Sequence, residues 1–268
     1  MLGTDDSVTV LEPFWSIDGA PDTAAFGERH IPGALPIDLA RELSGPPGPR
    51  GRLPLAAPEA VEEALRSRGV REHGTVVLAD REDGRAAARG WWVLRHAGID
   101  ARVLDGGVRA WEAAELPLEF GIERSPRRGD VVARSSGMPL IGLAEAETWA
   151  EHGVLLDARG ASLYSGEEHG PDARPGHIPG AISAPTSQNL DERGRFLDPQ
   201  QLRERFAALG AAPDRRVAVY CGSGVAAAHE VVALALAGIE AALYPGSWSE
   251  WSQRPDLPVA MGAQPYGS

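Results

Sequence analysis

Short apolar runs alternate with amphipathic stretches along this chain, and they do so twice. Thr75-Val76-Val77-Leu78-Ala79 and Val217-Ala218-Val219-Tyr220 are unbroken and apolar, as short buried strands are. Each meets a loop and then a helical stretch that closes in Ala97-Gly98-Ile99-Asp100 or Ala237-Gly238-Ile239-Glu240. A short strand follows, Arg102-Val103-Leu104 or Ala242-Leu243-Tyr244. Each half then ends in a Gly turn with Trp, Gly106-Gly107 to Trp111 and Gly246-Ser247-Trp248 to Trp251. Upstream, Leu202, Phe206 and Leu209 fall at helical spacing behind Asp198 and Pro199, which suit the N-cap and the first turn. The counterpart helix starts at Ala57-Pro58-Glu59 and ends at Gly69. Strands alternating with helices predict an α/β fold, with a mainly parallel sheet flanked by helices in each half.

The halves also share wording. His30-Ile31-Pro32-Gly33-Ala34 recurs as His177-Ile178-Pro179-Gly180-Ala181. A period of roughly 140 residues is two copies of one domain, not a solenoid. The predicted boundaries are a first domain over 1–120, a linker over 121–138 and a second domain over 139–268. The linker holds Ser125-Pro126-Arg127-Arg128-Gly129-Asp130 and Ser135-Ser136-Gly137. Ser44-Gly45-Pro46-Pro47-Gly48-Pro49 reads as a surface loop of the first half.

The copies differ in one place that carries chemistry. Cys221-Gly222-Ser223-Gly224-Val225-Ala226-Ala227 follows the second buried strand and leads into a helix. Glycines in such a loop let the backbone turn and aim N–H groups inward, and the helix start adds its positive dipole end. A thiol there is expected to exist largely as thiolate. It is the one cysteine among 268 residues, so no intramolecular disulfide competes for it. A phosphatase loop would need an Arg six positions on, where this chain has Ala227. At the matching place the first half has Asp80-Arg81-Glu82-Asp83-Gly84, so it is expected to serve as scaffold and one wall of a cleft.

Composition narrows the partners. The formal charge of −12 argues against nucleic acid, and an anionic substrate would need positive potential made locally. All 26 basic residues are Arg. No apolar run approaches the ~18–20 residues that span a bilayer, so no membrane role is expected. The N-terminus has neither the basic region nor the apolar core of a signal peptide, and a lone cysteine suits a reducing compartment, so the expected location is cytoplasmic. His73, His96, His152, His169 and His229 lack metal-ligand spacing.

Taken together, the doubled His-Ile-Pro-Gly-Ala, the Cys221 loop, Asp80 in the silent loop and Gly246-Ser247-Trp248-Ser249-Glu250-Trp251 resemble the tandem-domain rhodanese-like sulfurtransferases. The resemblance spans nearly the whole chain. It implies two rhodanese-like domains, the first inactive, and a reaction through a Cys221 persulfide. Sulfur would pass from a small-molecule donor to a thiol, cyanide or a protein acceptor, with no metal or organic cofactor. The backbone of Gly222, Gly224, Val225 and Ala226 would hold the persulfide anion.

Within that family, thiosulfate-preferring members carry basic residues after the Cys, whereas mercaptopyruvate-preferring members carry Cys-Gly-Ser-Gly-Val. This chain matches the latter, which implies 3-mercaptopyruvate as donor. Ser223 and His30 match a proposed proton relay, with Asp22 as the acidic partner of His30. Arg174 and Arg159 are the candidates for gripping the substrate anion. Leu163 stands where the family commonly has an Arg, and Ala226 where it usually has Thr. The alternatives are a thiosulfate:cyanide sulfurtransferase and a persulfide-carrier module with little turnover of its own.

Overall fold

Each apolar run becomes a strand and each amphipathic stretch a helix, giving two units of the same plan. A computed structural model describes residues 7–16, 24–121, 127–134 and 137–268. One unit comprises Met1–Gly45 and Leu55–Met138, and the other Pro46–Pro54 and Pro139–Ser268. Of the proline-rich loop read as part of the first half, Ser44 and Gly45 fall in the first of these units and Pro46 to Pro49 in the second. Asp22, Ser125, Pro126, Ser135 and Ser136 lie outside the described residues. The described linker residues are laid on the first unit: Gly129 donates to Arg66 O at 2.8 Å, and Val131 is buried.

In the first unit the order is β1 (Val8–Phe14), α1 (Ala24–Glu28), β2 (Leu35–Asp38), α2 (Pro58–Arg66), β3 (Thr75–Leu78), α3 (Arg85–His96), β4 (Ala101–Val103) and α4 (Gly107–Ala113). The strands form one parallel sheet in the order β2-β1-β3-β4. Val10, Phe26, Ile31, Ala34, Ala79 and Val108 form a buried cluster against it.

The second unit runs α5 (Leu143–His152), β5 (Val154–Asp157), α6 (Ala161–Ser165), β6 (Ile182–Ser183), a 3₁₀ turn (Thr186–Asn189), α7 (Pro199–Ala208), β7 (Val217–Tyr220), α8 (Val225–Leu236), β8 (Ala241–Leu243) and α9 (Ser247–Trp251). Its parallel sheet has the equivalent order, β6-β5-β7-β8. The predicted parallel α/β class is what the structure has. Asp198 caps α7 as expected, accepting from Gln200 N and Gln201 N at 2.9 and 3.1 Å. Trp149, Tyr220, Tyr244, Trp248 and Trp251 supply the aromatic part of the core.

The two His-Ile-Pro-Gly-Ala segments do the same structural job. His30 exchanges backbone hydrogen bonds with Glu119, and His177 with Ala260. His30 Nδ1 lies 3.1 Å from Phe26 O, with the ring stacked on Phe26. His177 Nδ1 lies 2.8 Å from Tyr164 O, with the ring stacked on Tyr164.

α8 carries a buried polar cluster that fixes its depth in the second unit. Glu230 takes Arg205 Nη1 at 3.0 Å and Asn189 Nδ2 at 2.6 Å, and Thr186 Oγ1 lies 2.6 Å from His229 Nδ1. Burial pushes the Glu230 carboxyl above its ordinary range, against the pull of Arg205. Removing one member of a buried ion pair strands the other. Glu230→Ala should therefore cost about 3–5 kcal/mol, seen as a fall in the urea midpoint, and Glu230→Gln should cost less.

Candidate active site

β7 ends at Tyr220 and α8 begins at Val225, so Cys221 occupies the turn where a buried strand meets a helix start. Gly224 caps that helix in the left-handed region, and its amide donates to Cys221 Sγ at 3.1 Å. The thiol is buried, with the residue 2% exposed, and Ser223 beside it is 3% exposed. The rest of the turn is pinned from α9. Trp248 N donates to Cys221 O at 2.9 Å, and Ser249 N to Gly222 O at 2.8 Å.

The first unit shows what this turn favours. Its Asp80 carboxylate sits at the same strand end and accepts from Glu82 N at 3.1 Å, Gly84 N at 3.0 Å and Ala87 N at 3.1 Å. Burial raises the carboxyl, and the three amides pull it back. A carboxyl side chain is thus held by main-chain amides in one unit where the other has its thiol. Above it, a cavity of about 190 Å³ is lined by Glu12, Asp80, Arg81, Glu82, Asp83 and Arg85 among others.

Ser247 completes the cradle, and sequence reasoning missed it. Its hydroxyl accepts from Cys221 N at 3.2 Å and donates to Tyr244 O at 2.8 Å. It does so at φ 54°, a left-handed conformation costing a non-glycine residue roughly 1–2 kcal/mol. The first unit has Gly107 there at φ 56°, and a Cβ would sit 2.3 Å from Asp80 O. The signal was present in the repeat, as a Ser in one copy opposite a Gly in the other.

The two arginines expected to grip substrate are committed elsewhere. Arg174 spends its guanidinium on backbone oxygens: Ser252 O at 3.0 Å, Leu257 O at 2.9 Å, Trp251 O at 3.2 Å and Arg254 O at 2.7 Å. That arrangement caps the end of α9. Arg159 is buried, paired with Asp157 at 2.5 Å and bonded to Gly176 O at 2.8 Å, with its guanidinium over the Trp248 ring. Burial alone would lower its pKa, but Asp157 outweighs that and raises it. Each guanidinium in these geometries is bonded within the protein, Arg174 to the end of α9 and Arg159 to Asp157. His30, expected as a proton relay, has a side chain with no exposed surface, in surroundings like those of His177.

A different arginine stands at the loop. Arg52, from Pro46–Pro54, pairs with Asp172, and a Cβ placed on Gly222 would lie 2.9 Å from its Nη2. Among the described residues no group of three or more His, Cys, Asp or Glu could hold a metal ion, and no helix is long and apolar enough to cross a membrane.

Comparison with known proteins places this geometry. The rhodanese-like domain family matches the chain twice, over residues 15–114 and 142–254. A Pseudomonas aeruginosa protein provisionally named 3-mercaptopyruvate sulfurtransferase is 46% identical over 246 residues, covering 88% of this chain and 86% of its own. A Mycobacterium tuberculosis protein provisionally named thiosulfate sulfurtransferase SseB is 39% identical over 267 residues, covering 98% and 94%. The solved 3-mercaptopyruvate sulfurtransferase of Leishmania major superposes with a TM-score of 0.82 at 26% identity, covering 94% of this chain and 72% of that one.

If the Ser247 hydroxyl positions the Cys221 turn, Ser247→Gly separates stability from reactivity. Relief of the left-handed strain, roughly 1 kcal/mol or more, should offset the lost hydrogen bond and leave the melting temperature near wild type. The rate at which iodoacetamide alkylates Cys221 should nevertheless fall several-fold, read by mass spectrometry. An unchanged rate would show that the hydroxyl does not act on the turn.

Proposed function

Because this chain belongs to the rhodanese-like family and carries two copies of its domain, we propose that Cys221 is the sulfur-carrying nucleophile of a sulfurtransferase that favours 3-mercaptopyruvate. Sulfur transfer itself is the activity in the names of the relatives. What supports Cys221 is the Gly224 amide aimed at a buried thiol, at a turn whose twin holds a carboxylate. Such a turn stabilises an anion on sulfur, which both the attacking thiolate and the persulfide product require.

The thiolate attacks the sulfur of 3-mercaptopyruvate. An S–S bond forms, the C–S bond breaks, and the electron pair leaves on carbon as pyruvate enolate. The donor's thiol proton ends on that carbon, giving pyruvate and a Cys221 persulfide. Ser223, buried in the same turn, is the hydroxyl we assign to moving the proton. We assign His30, Arg159 and Arg174 structural roles. An acceptor such as cyanide or a thiol then attacks the outer sulfur, the S–S bond breaks, and the thiolate is restored. A thiol that cycles this way suits a reducing compartment, and we place its work in the cytoplasm.

The donor assignment rests on charge. Gly222, Ser223 and Gly224 bring no positive side chain, and the guanidinium of Arg52 is already shared with Asp172. That suits a single carboxylate better than the two charges of thiosulfate. With cyanide as acceptor, kcat/KM for 3-mercaptopyruvate should exceed that for thiosulfate by roughly tenfold or more, about one charge-assisted hydrogen bond. A thiosulfate preference would reverse the donor assignment. Cys221→Ser should abolish transfer from both donors, and residual turnover would remove Cys221 from the mechanism.

A further inference from the structure

We infer that Arg52 is the side chain that receives the oxyanion of the sulfur donor beside Cys221. This deepens the reading just given and rests on it.

The chain between Pro46 and Pro54 is built to deliver this residue. Gly48 and Gly51 exchange backbone hydrogen bonds at 3.0 Å, closing a tight turn. Gly51 has φ 97°, and a Cβ there would sit 2.7 Å from both Gly246 O and Ser249 Oγ, so only glycine lets the turn approach this closely. Arg52 N then donates to Ser249 Oγ at 3.0 Å. Ser249 N holds Gly222 O, so one serine ties the Arg52 backbone to the residue next to the nucleophile.

The side chain is oriented as well as placed. Arg52 Nη1 donates to Asp172 Oδ1; a Cβ on Gly222 would lie 2.9 Å from Arg52 Nη2 and 4.0 Å from Asp172 Oδ2, so the guanidinium is the nearer of the pair. Arg52 is 28% exposed and Asp172 9%, so the pair is partly desolvated yet open to a small ligand. Burial raises the Asp172 carboxyl, and Arg52 opposes that rise. Arg52 is therefore the guanidinium that can offer an N–H to a carboxylate or sulfonate lying over Gly222. Arg159 and Arg174 are occupied with Asp157 and with backbone oxygens.

The experiment uses the full chain, whose one cysteine makes alkylation unambiguous. Iodoacetate and iodoacetamide differ in charge; each forms a carbon–sulfur bond to Cys221 and releases iodide. Arg52→Gln combined with Asp172→Asn removes both charges of the pair, so the net charge is unchanged and no buried carboxylate is left alone. The ratio of the two alkylation rates should shift against iodoacetate by roughly tenfold, the worth of one charge-assisted hydrogen bond. KM for 3-mercaptopyruvate should rise by a similar factor, with kcat moving far less. A larger KM rise for thiosulfate would name its sulfonate as the oxyanion received.

Arg52→Lys, which keeps the charge, should recover part of the loss. An unchanged alkylation ratio, or an equal fall with both reagents, would overturn the assignment and leave Arg52 a structural residue. Should wild type take up no sulfur from either donor while the ratio still shifts, the sulfur-transfer reading fails and the anion site stands.

Discussion

Negative charge at the end of a buried strand needs donors that do not have to reorganise, and this fold supplies main-chain amides. The strand–turn–helix junction does it twice. Around Asp80 the amides of Glu82, Gly84 and Ala87 converge on a carboxylate; at Cys221 the Gly224 amide meets a sulfur. In the first unit three amides hold the Asp80 carboxyl. At the corresponding place the second unit presents a sulfur to the Gly224 amide. The two units thus place different side chains at the same strand end while sharing the sheet order that holds it.

Holding the turn still has its own cost. In the first unit the residue under Asp80 is a glycine, and the backbone can take φ 56° freely. In the second unit Ser247 takes φ 54° with a side chain attached, and its hydroxyl bridges Cys221 N and Tyr244 O. Backbone strain of this kind persists where surrounding structure over-determines it. Here the determinants are the amides of Trp248 and Ser249 on Cys221 O and Gly222 O. The tryptophans of α9 are buried in the core, which turns a strained residue into a rigid one.

Much of this was legible in the sequence. The repeat announced two domains, the unbroken apolar runs announced parallel strands, and Cys221 between a strand and a helix announced its own surroundings. Those features are local, and backbone geometry follows from a few neighbouring residues. The arginines were not legible in the same way. Arg159 is two residues from Asp157, but whether it faces that carboxylate or the substrate depends on Tyr220 and Trp248, which enclose it. Arg174 bonds to oxygens some eighty positions further on, a pairing that no spacing rule encodes. Ser247 was hidden differently, since a serine at a turn gives no hint of positive φ until it is set against Gly107.

Arg52 shows why a long-range guanidinium is the hardest part to read and the easiest part to vary. It sits in a loop that sequence order assigns to the first half, and it reaches the second only because Gly51 can lie against Gly246 and Ser249. The Arg52 side chain takes no part in the bonds of the Gly224 amide, the Ser247 hydroxyl or the sheet register. The anion contact can therefore change independently of the sulfur cradle. The Gly224 amide at the Cys221 turn is set by the strand and helix that flank it, while the Arg52 guanidinium rides on a loop outside the sheet. On the reading proposed above, donor preference belongs to the Pro46–Pro54 loop and Asp172 as well as to the uncharged Gly222-Ser223-Gly224 turn, because the two meet at Gly222.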